Sequence, residues 1–218
     1  NIVFAKYIIE QQAIVAKLNI DRCPPQIQLI KIENSNTLHP NYASKKHSVV
    51  LTFKVIEKNI KAYNINYANT EITLDGKIVH PRVVRFSHKK QVGDEKIFLL
   101  TLNEISGNGL LKIHFPEGVV QDIADLKTED LVFDTNITID NIAPTTIFKE
   151  TVTKDGKSLA EIKCNEPVNQ LDGWNYSSED FVLSKEFEEN SSFPITITDL
   201  AGNEATITIN IKNAKFQT

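Results

Sequence analysis

Residues 197–211 read ITDLAGNEATITINI and place two alternating apolar and polar runs on either side of a short turn. Apolar residues at every second position are typical of a strand with one buried face. Gly202 can adopt the positive φ angle that a tight turn needs, and the side chains of Asp199 and Asn203 can hydrogen-bond to nearby backbone N–H groups. The stretch therefore predicts a β-hairpin whose polar residues shape the bend, rather than a catalytic loop.

The same period-two alternation recurs along most of the chain. It is clearest in residues 49–55, 111–115 and 133–139. β-Branched residues, which favour pleated and partly buried backbone, dominate these runs. Turn-forming pairs such as Asp-Gly and Gly-Asn separate them. Strands and turns at this spacing predict an all-β sandwich rather than alternating strands and helices.

The start of the chain shows a different pattern. In residues 1–17 (NIVFAKYIIEQQAIVAK), apolar residues fall on one helical stripe. They are Ile2, Ala5, Ile9, Ala13 and Ala16. We expect a helix over about residues 3–16, and a strand at residues 13–20 is the alternative.

An internal repeat marks the domain organisation. Residues 18–29 (LNIDRCPPQIQL) align with residues 137–148 (ITIDNIAPTTIF), so that Asp21 corresponds to Asp140. Proline cannot donate a hydrogen bond to a sheet and stiffens the backbone, which suits a junction between domains. The predicted parts are an N-terminal segment (a helix or the tail of a preceding repeat), a first domain and a second domain, at residues 1–23, 24–142 and 143–218.

Composition and charge exclude some partners. The chain has 24 Lys and Arg against 28 Asp and Glu, a formal net charge of −4. This argues against a nucleic-acid partner, because such proteins usually carry a concentrated basic face. No apolar run approaches the ~18–20 residues that span a bilayer, so we expect no membrane insertion. The chain begins at Asn1 and has no Met, so we expect a piece of a longer protein.

Two motifs together resemble the bacterial Ig-like domains of surface and secreted proteins. Residues 199–203 (DLAGN) match the turn before the last strand of such domains, and residues 140–144 (DNIAP) match the linker between them. Residues 165–174 (NEPVNQLDGW) and 183–190 (LSKEFEEN) resemble further recurrent patterns of these modules in low-GC Gram-positive bacteria. The first domain matches less well, because residues 122–126 (DIADL) lack the Gly-Asn pair.

The resemblance implies tandem immunoglobulin-like β-sandwiches of about seven strands each. It further implies a non-enzymatic spacer or adhesive module of an extracellular or wall-attached bacterial protein. Its partners would be neighbouring Ig-like repeats and a protein or glycan ligand. The alternative is an accessory region, binding carbohydrate or protein, of a secreted hydrolase whose catalytic domain lies outside this sequence.

The residue types that carry catalysis form no recognisable motif. No GxSxG, HExxH, P-loop or GxGxxG pattern accompanies the histidines. Cys164 shares a strand face with Ala160 and Ile162 and is expected to be buried as a small apolar residue, and Cys23 is expected to pack at a domain junction. We therefore predict no enzyme activity, no catalytic residue, no cofactor and no metal site. The histidines are His39, His47, His80, His88 and His114.

Calcium is a hypothesis that the acidic residues leave open. Calcium takes six to eight oxygen ligands, and carboxylates at a junction could stiffen an array of domains. No DxDxDG loop is present, so solvated turn residues are the simpler interpretation. The acids near the junctions or at one pole are Asp21, Glu33, Asp140 (with Asn141), Asp122, Asp125, Asp199 and Glu204.

Two further hypotheses concern single residues of the second domain. Trp174 and Tyr176 could stack on a sugar ring, but we expect them to pack in the core or at its edge. An intramolecular isopeptide bond would need a buried lysine beside an asparagine and an acid. Lys163 alternates away from Cys164 on its strand, which does not favour such a bond.

Overall fold

The computed structural model describes residues 22–92 and 95–214. Within these ranges the chain forms seventeen β-strands and one short 3-10 helix, at Tyr67–Asn69. The predicted all-β class is confirmed. No helix in the described ranges is long and apolar enough to cross a bilayer. The helix expected at residues 3–16 and the alternative strand at 13–20 lie outside the described residues.

The first eleven strands make two larger sheets and one small pair. An antiparallel sheet has the order β1-β3-β8-β7, and a five-stranded sheet has the order β2-β11-β9-β5-β6. The short β2 runs parallel to β11, and β10 pairs with β4. The bounds are β1 (Gln26–Asn34), β2 (Tyr42–Ala43), β3 (Ser48–Ile56), β4 (Ile60–Tyr63), β5 (Glu71–Leu74), β6 (Lys77–Ile78), β7 (Val83–Val92), β8 (Glu95–Asn103), β9 (Gly109–Phe115), β10 (Val120–Asp122) and β11 (Leu131–Ile139).

The two larger sheets pack face to face through aromatic rings. Phe53 of β3 stacks on Phe98 of β8, with ring centroids 5.1 Å apart. Across the interface, Phe115 of β9 meets Phe53 edge to face at 5.2 Å. Fully burying an aromatic or aliphatic side chain of this size contributes about 1.5–3 kcal/mol. The alternation predicted for residues 49–55 is confirmed, since its apolar side chains are fully buried.

The last six strands make a smaller pair of sheets. One has the order β12-β13-β15-β14, and the other is the hairpin β16-β17. The Trp174 ring lies 6.0 Å from the Phe187 ring, and Ile197 and Ile209 of the hairpin are buried in the same cluster. The bounds are β12 (Thr146–Val152), β13 (Ser158–Cys164), β14 (Asn175–Ser177), β15 (Val182–Phe187), β16 (Ser191–Thr198) and β17 (Glu204–Ile211).

The predicted hairpin at residues 197–211 is confirmed. Strands β16 and β17 pair antiparallel from Ser191↔Ile211 to Thr198↔Glu204, so the turn occupies residues 199–203. Period-two alternation buries Ile195, Ile197, Ile209 and Ile211 on one face.

The buried apolar residues form two separate clusters. The first extends to Ile139, and the second includes residues from Phe148 onward. We call the parts of the chain around them the first unit (residues 26–139) and the second unit (residues 146–211). Residues 140–144, which connect them, are the linker.

The second unit offers a direct test of the predicted division at residue 143. Its apolar cluster is drawn from its own strands and loops, so residues 143–218 alone are expected to unfold cooperatively. A core of this size supplies about 3–5 kcal/mol. Trp174, the single tryptophan of the chain, reports the transition by fluorescence during urea denaturation. A gradual change without a cooperative transition would show that the second unit needs the first in order to fold.

Candidate functional site: the junction between the units

The turn at residues 199–203 is closed by its own polar side chains. The backbone N–H of Asp199 donates to Asn203 O (3.0 Å), and the N–H of Asn203 donates to Asp199 Oδ1 (2.9 Å). Gly202 adopts a φ angle of 81°. The predicted bond from a side chain to local backbone N–H is thus confirmed for Asp199, whereas the Asn203 side chain donates elsewhere.

The Asn203 side chain also reaches beyond the turn, which the sequence did not predict. Its Nδ2 donates to Asp140 O (3.0 Å) and lies 3.3 Å from Ile142 O. The same nitrogen is 2.8 Å from Asp199 Oδ2. Asn203 is only 8% exposed. One buried amide group therefore connects the linker to the last turn of the second unit.

Asn141 holds the linker from the opposite side. Its Nδ2 donates to Ile105 O (3.1 Å) and Gly107 O (2.6 Å) in the first unit. Its Oδ1 accepts the backbone N–H of Lys45 (2.6 Å), and its own N–H donates to Asn108 Oδ1 (2.8 Å). The linker is therefore hydrogen-bonded to both units by its own residues and theirs.

The units also contact each other directly. Asn36 Nδ2 of the first unit donates to Leu200 O of the second (2.9 Å). The His39 Nε2 atom lies 2.5 Å from Asn169 Oδ1. A third bond joins Lys46 Nζ to Gly202 O at 3.2 Å. Three residues of the β1–β3 connection thus bind the loops at one end of the second unit.

Gly202 is constrained twice at this contact. Its φ of 81° disfavours side chains of L-amino acids. A Cβ atom there would also lie 3.2 Å from His47 Cε1. The imidazole of the first unit thus packs on the glycine of the second, and a side chain at residue 202 would be strained and would require the imidazole to shift.

His47 itself belongs to a local turn. Its N–H donates to Ser44 O (2.9 Å), and its Nδ1 accepts the Ser44 N–H (3.1 Å) and lies 3.2 Å from Ser44 Oγ. Burial and then the nearby charge of Lys46 lower the pKa of His47. The Ser44–His47 pair closes a turn and places the ring against the second unit.

Three carboxyl groups meet at the junction. One oxygen each from Asp140, Glu166 and Asp199 lies within 4.8 Å of the others. Asp199 is 1% exposed, and the other two are half-buried. Burial, and then the negative charges of Asp140 and Asp199, raise the pKa of Glu166 to about 7. The cluster is therefore an electrostatically costly arrangement that a proton or a cation would relieve.

The donor set of this carboxylate cluster (Asp140, Glu166 and Asp199) suits a hard cation such as calcium, because all its ligand atoms are oxygens. Some of these carboxylate oxygens already accept hydrogen bonds. Both Asp199 oxygens accept hydrogen bonds from Asn203, and Asp140 Oδ1 accepts the Ile142 N–H (3.0 Å). Since calcium takes six to eight oxygens, further ligands from water or backbone would be needed.

This cluster differs from the set that the sequence suggested for calcium. Asp140 and Asp199 belonged to that set, but Glu166 was missed. Glu166 follows strand β13, and only the fold brings it to the linker. Glu166 lies in the pattern NEP at residues 165–167, which resembles a family motif and is the signal in the sequence that points to this acid.

The remaining acids of the predicted calcium set lie elsewhere. Glu33 pairs with Lys31 at 2.7 Å, and Asp125 pairs with Lys61. Glu204 is the exposed first residue of β17. Asp21 lies outside the described residues.

The first unit repeats the turn without the asparagine. Asp122 N–H donates to Leu126 O (3.0 Å), and Leu126 N–H donates to Asp122 Oδ1 (2.8 Å), as in residues 199–203. The lost Gly-Asn pair therefore did not change this hydrogen-bond pattern. Asp122 Oδ2 is buried and has no hydrogen-bond partner within the described part of the chain, because leucine replaces the amide that Asn203 provides.

Three histidines lie away from the junction. His114 is held between Glu71 Oε2 (2.9 Å) and Asp130 Oδ1 (2.7 Å), and these two bonds raise its pKa. The other two pair with tyrosine side chains. They are His80, whose Nδ1 is 3.0 Å from Tyr67 Oη, and His88, whose ring centroid is 5.3 Å from that of Tyr63.

The aromatic residues and the cysteine of the second unit were expected to pack in its core or at the core's edge. Trp174 is 7% exposed, and Tyr176 Oη accepts the Val168 N–H (3.1 Å). Cys164 is buried, as expected. Cys23 is exposed and lies just before the two prolines that lead into β1; the segment that precedes this predicted junction lies outside the described residues, so the packing role of Cys23 stays a prediction.

Lys163 is an exposed residue of β13. An isopeptide bond forms in a buried environment, and this position does not provide one.

Comparison with protein-family models and with curated protein sequences found no match to this chain. The resemblance to bacterial Ig-like domains therefore rests on the residues themselves.

Removing the Asn203 amide tests its role in the junction. Asn203→Ala leaves the linker carbonyls and Asp199 Oδ2 without this donor, so we expect the second unit to lose about 1–3 kcal/mol of unfolding free energy. Urea denaturation followed by Trp174 fluorescence measures this loss. The control is Asn210→Ala, which removes an exposed asparagine of β17 that bonds only Ser192 Oγ in the described structure. Equal effects of the two substitutions would contradict the role given to Asn203.

The pKa of Glu166 predicts a pH dependence of stability. A folded-state pKa of about 7, against an ordinary value of 4.5, means that the folded chain binds this proton more tightly than the unfolded chain. The contribution of this group to stability is then fully present below pH 4.5 and is lost as the pH rises through about 7. In buffer with EDTA, Glu166→Gln is expected to remove most of this decrease, and Glu161→Gln on the preceding strand is expected to keep it. Urea midpoints across this pH range measure the slope.

A parallel series in millimolar calcium chloride shows whether the cluster takes a cation. A rise in melting temperature that the wild type shows and Glu166→Gln lacks would indicate binding at the three carboxylates. Equal melting temperatures with calcium and with EDTA would leave protonation as the means of relieving their repulsion. A pH slope that is unchanged in Glu166→Gln would contradict the electrostatic description of the cluster.

Proposed function

We propose that this chain is a non-enzymatic structural module of an extracellular or cell-surface bacterial protein, built from two immunoglobulin-like β-sandwiches in tandem. The observation that carries the proposal is the linker, which Asn141 bonds to the first unit and Asn203 bonds to the second. A spacer must keep its modules at a set distance and angle. Hydrogen bonds on both sides of a five-residue linker give it that property.

The family resemblance supports the same function. The two motifs that carry it, DLAGN at residues 199–203 and DNIAP at residues 140–144, are in direct contact, because Asn203 of the first motif bonds Asp140 and Ile142 carbonyls of the second. Their co-occurrence in one sequence thus has a physical reason. The turn before the last strand of a module thus binds the linker that leads into the same module.

The state of the acidic residues supports a role without catalysis. Asp199 is buried and accepts two hydrogen bonds from Asn203, so it is committed to holding a turn. General acid–base catalysis needs a carboxyl group that reaches a substrate, and Asp199 is 1% exposed. The junction is therefore proposed to transmit orientation, and the solvent-facing sheets and loops are proposed to supply any adhesive surface.

The orientation of the two units can be measured directly. Residual dipolar couplings of the whole chain in a weakly aligning medium are expected to fit one alignment tensor for both units. The double variant Asn141→Ala/Asn203→Ala is expected to need two different tensors, because the linker loses its side-chain donors on both sides. The control double variant, Asn190→Ala/Asn210→Ala, changes asparagines remote from the linker and is expected to keep a single tensor. Two independent tensors in the wild type would overturn the spacer proposal.

A further inference from the structure

A groove in the first unit has the features of a small-ligand site. It lies between the 3-10 helix Tyr67–Asn69 and the β5–β6 hairpin, and has a volume of about 280 Å³. The Tyr67 and Ile78 side chains on its wall are 48% and 56% exposed. Its lining includes Tyr67, Thr70, Glu71, Ile78, Val79 and His80. The groove thus presents an aromatic ring and an aliphatic side chain to solvent in one concave place.

The aromatic side of this groove is held in place from two directions. Asn66 caps the 3-10 helix by accepting the Ala68 N–H (2.9 Å), and Thr70 Oγ1 donates to Asn66 O (2.8 Å). At the other end of the side chain, Tyr67 Oη and His80 Nδ1 are 3.0 Å apart. The tyrosine ring is therefore fixed without being buried. A ligand that stacks on it pays little ordering entropy.

The polar side of the groove is held as well. Glu71 Oε2 is 2.9 Å from His114 Nδ1, and His114 Nε2 is 2.7 Å from Asp130 Oδ1. This chain of bonds fixes the Glu71 carboxylate at the edge of the groove. Carboxylates repel anions, so a phosphate or sulfate ligand is disfavoured. Imidazole, phenol and carboxylate groups together offer hydrogen bonds to a ligand rich in hydroxyl groups.

The combination points to one ligand class. We propose that the groove binds a neutral pyranose unit of a glycan, with the apolar face of the sugar on the Tyr67 ring and its hydroxyl groups toward Glu71 and His80. The volume suits one sugar ring, and Ile78 and Val79 add apolar lining beside the tyrosine. A bare organic cation would gain more from several rings arranged around it than from one tyrosine.

This site deepens the adhesive part of the proposed function, on which it rests, by naming the ligand class and its place. It also differs from the sugar hypothesis based on Trp174, since that ring is buried against Phe187. The groove belongs to the first unit alone, and none of its lining residues bonds the linker or the second unit in the described structure. Glycan binding can therefore fail while the single alignment tensor of the two units is still observed, and the reverse also holds.

The test is a titration of the whole ¹⁵N-labelled chain with methyl glucoside, methyl galactoside and N-acetylglucosamine, followed by amide chemical shifts. At least one sugar is expected to shift the amides of residues 67–80 progressively, with a dissociation constant of about a millimolar or weaker. Tyr67→Phe keeps the stacking ring but loses the contact with His80, so it is expected to weaken binding by only about threefold. Tyr67→Ala removes the ring and is expected to weaken binding at least about tenfold.

Leu38→Ala is the matched control, because Leu38 is a 71% exposed apolar residue elsewhere in the first unit. It is expected to leave the affinity unchanged, and the dispersion of the amide spectrum verifies that each variant is folded. Three results would overturn the proposal: no shifts with any of the sugars, shifts confined to residues outside the groove, or a Tyr67→Ala variant that binds as the wild type does. Stronger shifts in the groove with choline chloride than with the sugars would also overturn it and indicate a cation site.

Discussion

The structure depends on how the polar backbone of the linker is satisfied between two packed units. Carbonyl groups that lose contact with water need donors, and a buried group left unpaired costs about 1–3 kcal/mol. The side-chain amide of Asn203, in the second unit, donates to two carbonyl groups of the linker, and the amide of Asn141, within the linker, donates to two carbonyl groups of the first unit. The orientation of the units follows from where these two amides can reach.

This arrangement brings like charges together at the junction. The turn that brings the Asn203 amide to the linker also brings Asp199 there. Asp199 then forms a cluster of like charges with Asp140 and Glu166. The amide partly compensates by donating to Asp199, but Glu166 responds with a raised pKa. Stability and pH sensitivity of the junction thus come from the same few side chains.

The first unit shows what the asparagine contributes. Its turn has the same two backbone and carboxylate bonds, from Asp122 to Leu126, yet leaves one buried carboxylate oxygen without a partner in the described structure. The side chain of the fifth residue is therefore not needed to close the turn, because the backbone of that residue makes both bonds. In the second unit this side chain extends the hydrogen bonding beyond the turn, because the Asn203 amide donates to the linker.

Period-two alternation and turn residues predicted the all-β class, the hairpin around residues 199–203 and the burial of Cys164, because these features depend on neighbours along the chain. The reach of Asn203 to the linker, the entry of Glu166 into the acidic cluster and the groove beside Tyr67 were not predictable in this way. The first two join residues that are distant in sequence, so their approach is decided by how the sheets pack and the units meet, whereas the groove depends on how the 3-10 helix packs beside the β5–β6 hairpin. The sequence by itself determined which segments are extended and which bend, and only the tertiary structure decided which polar groups face one another.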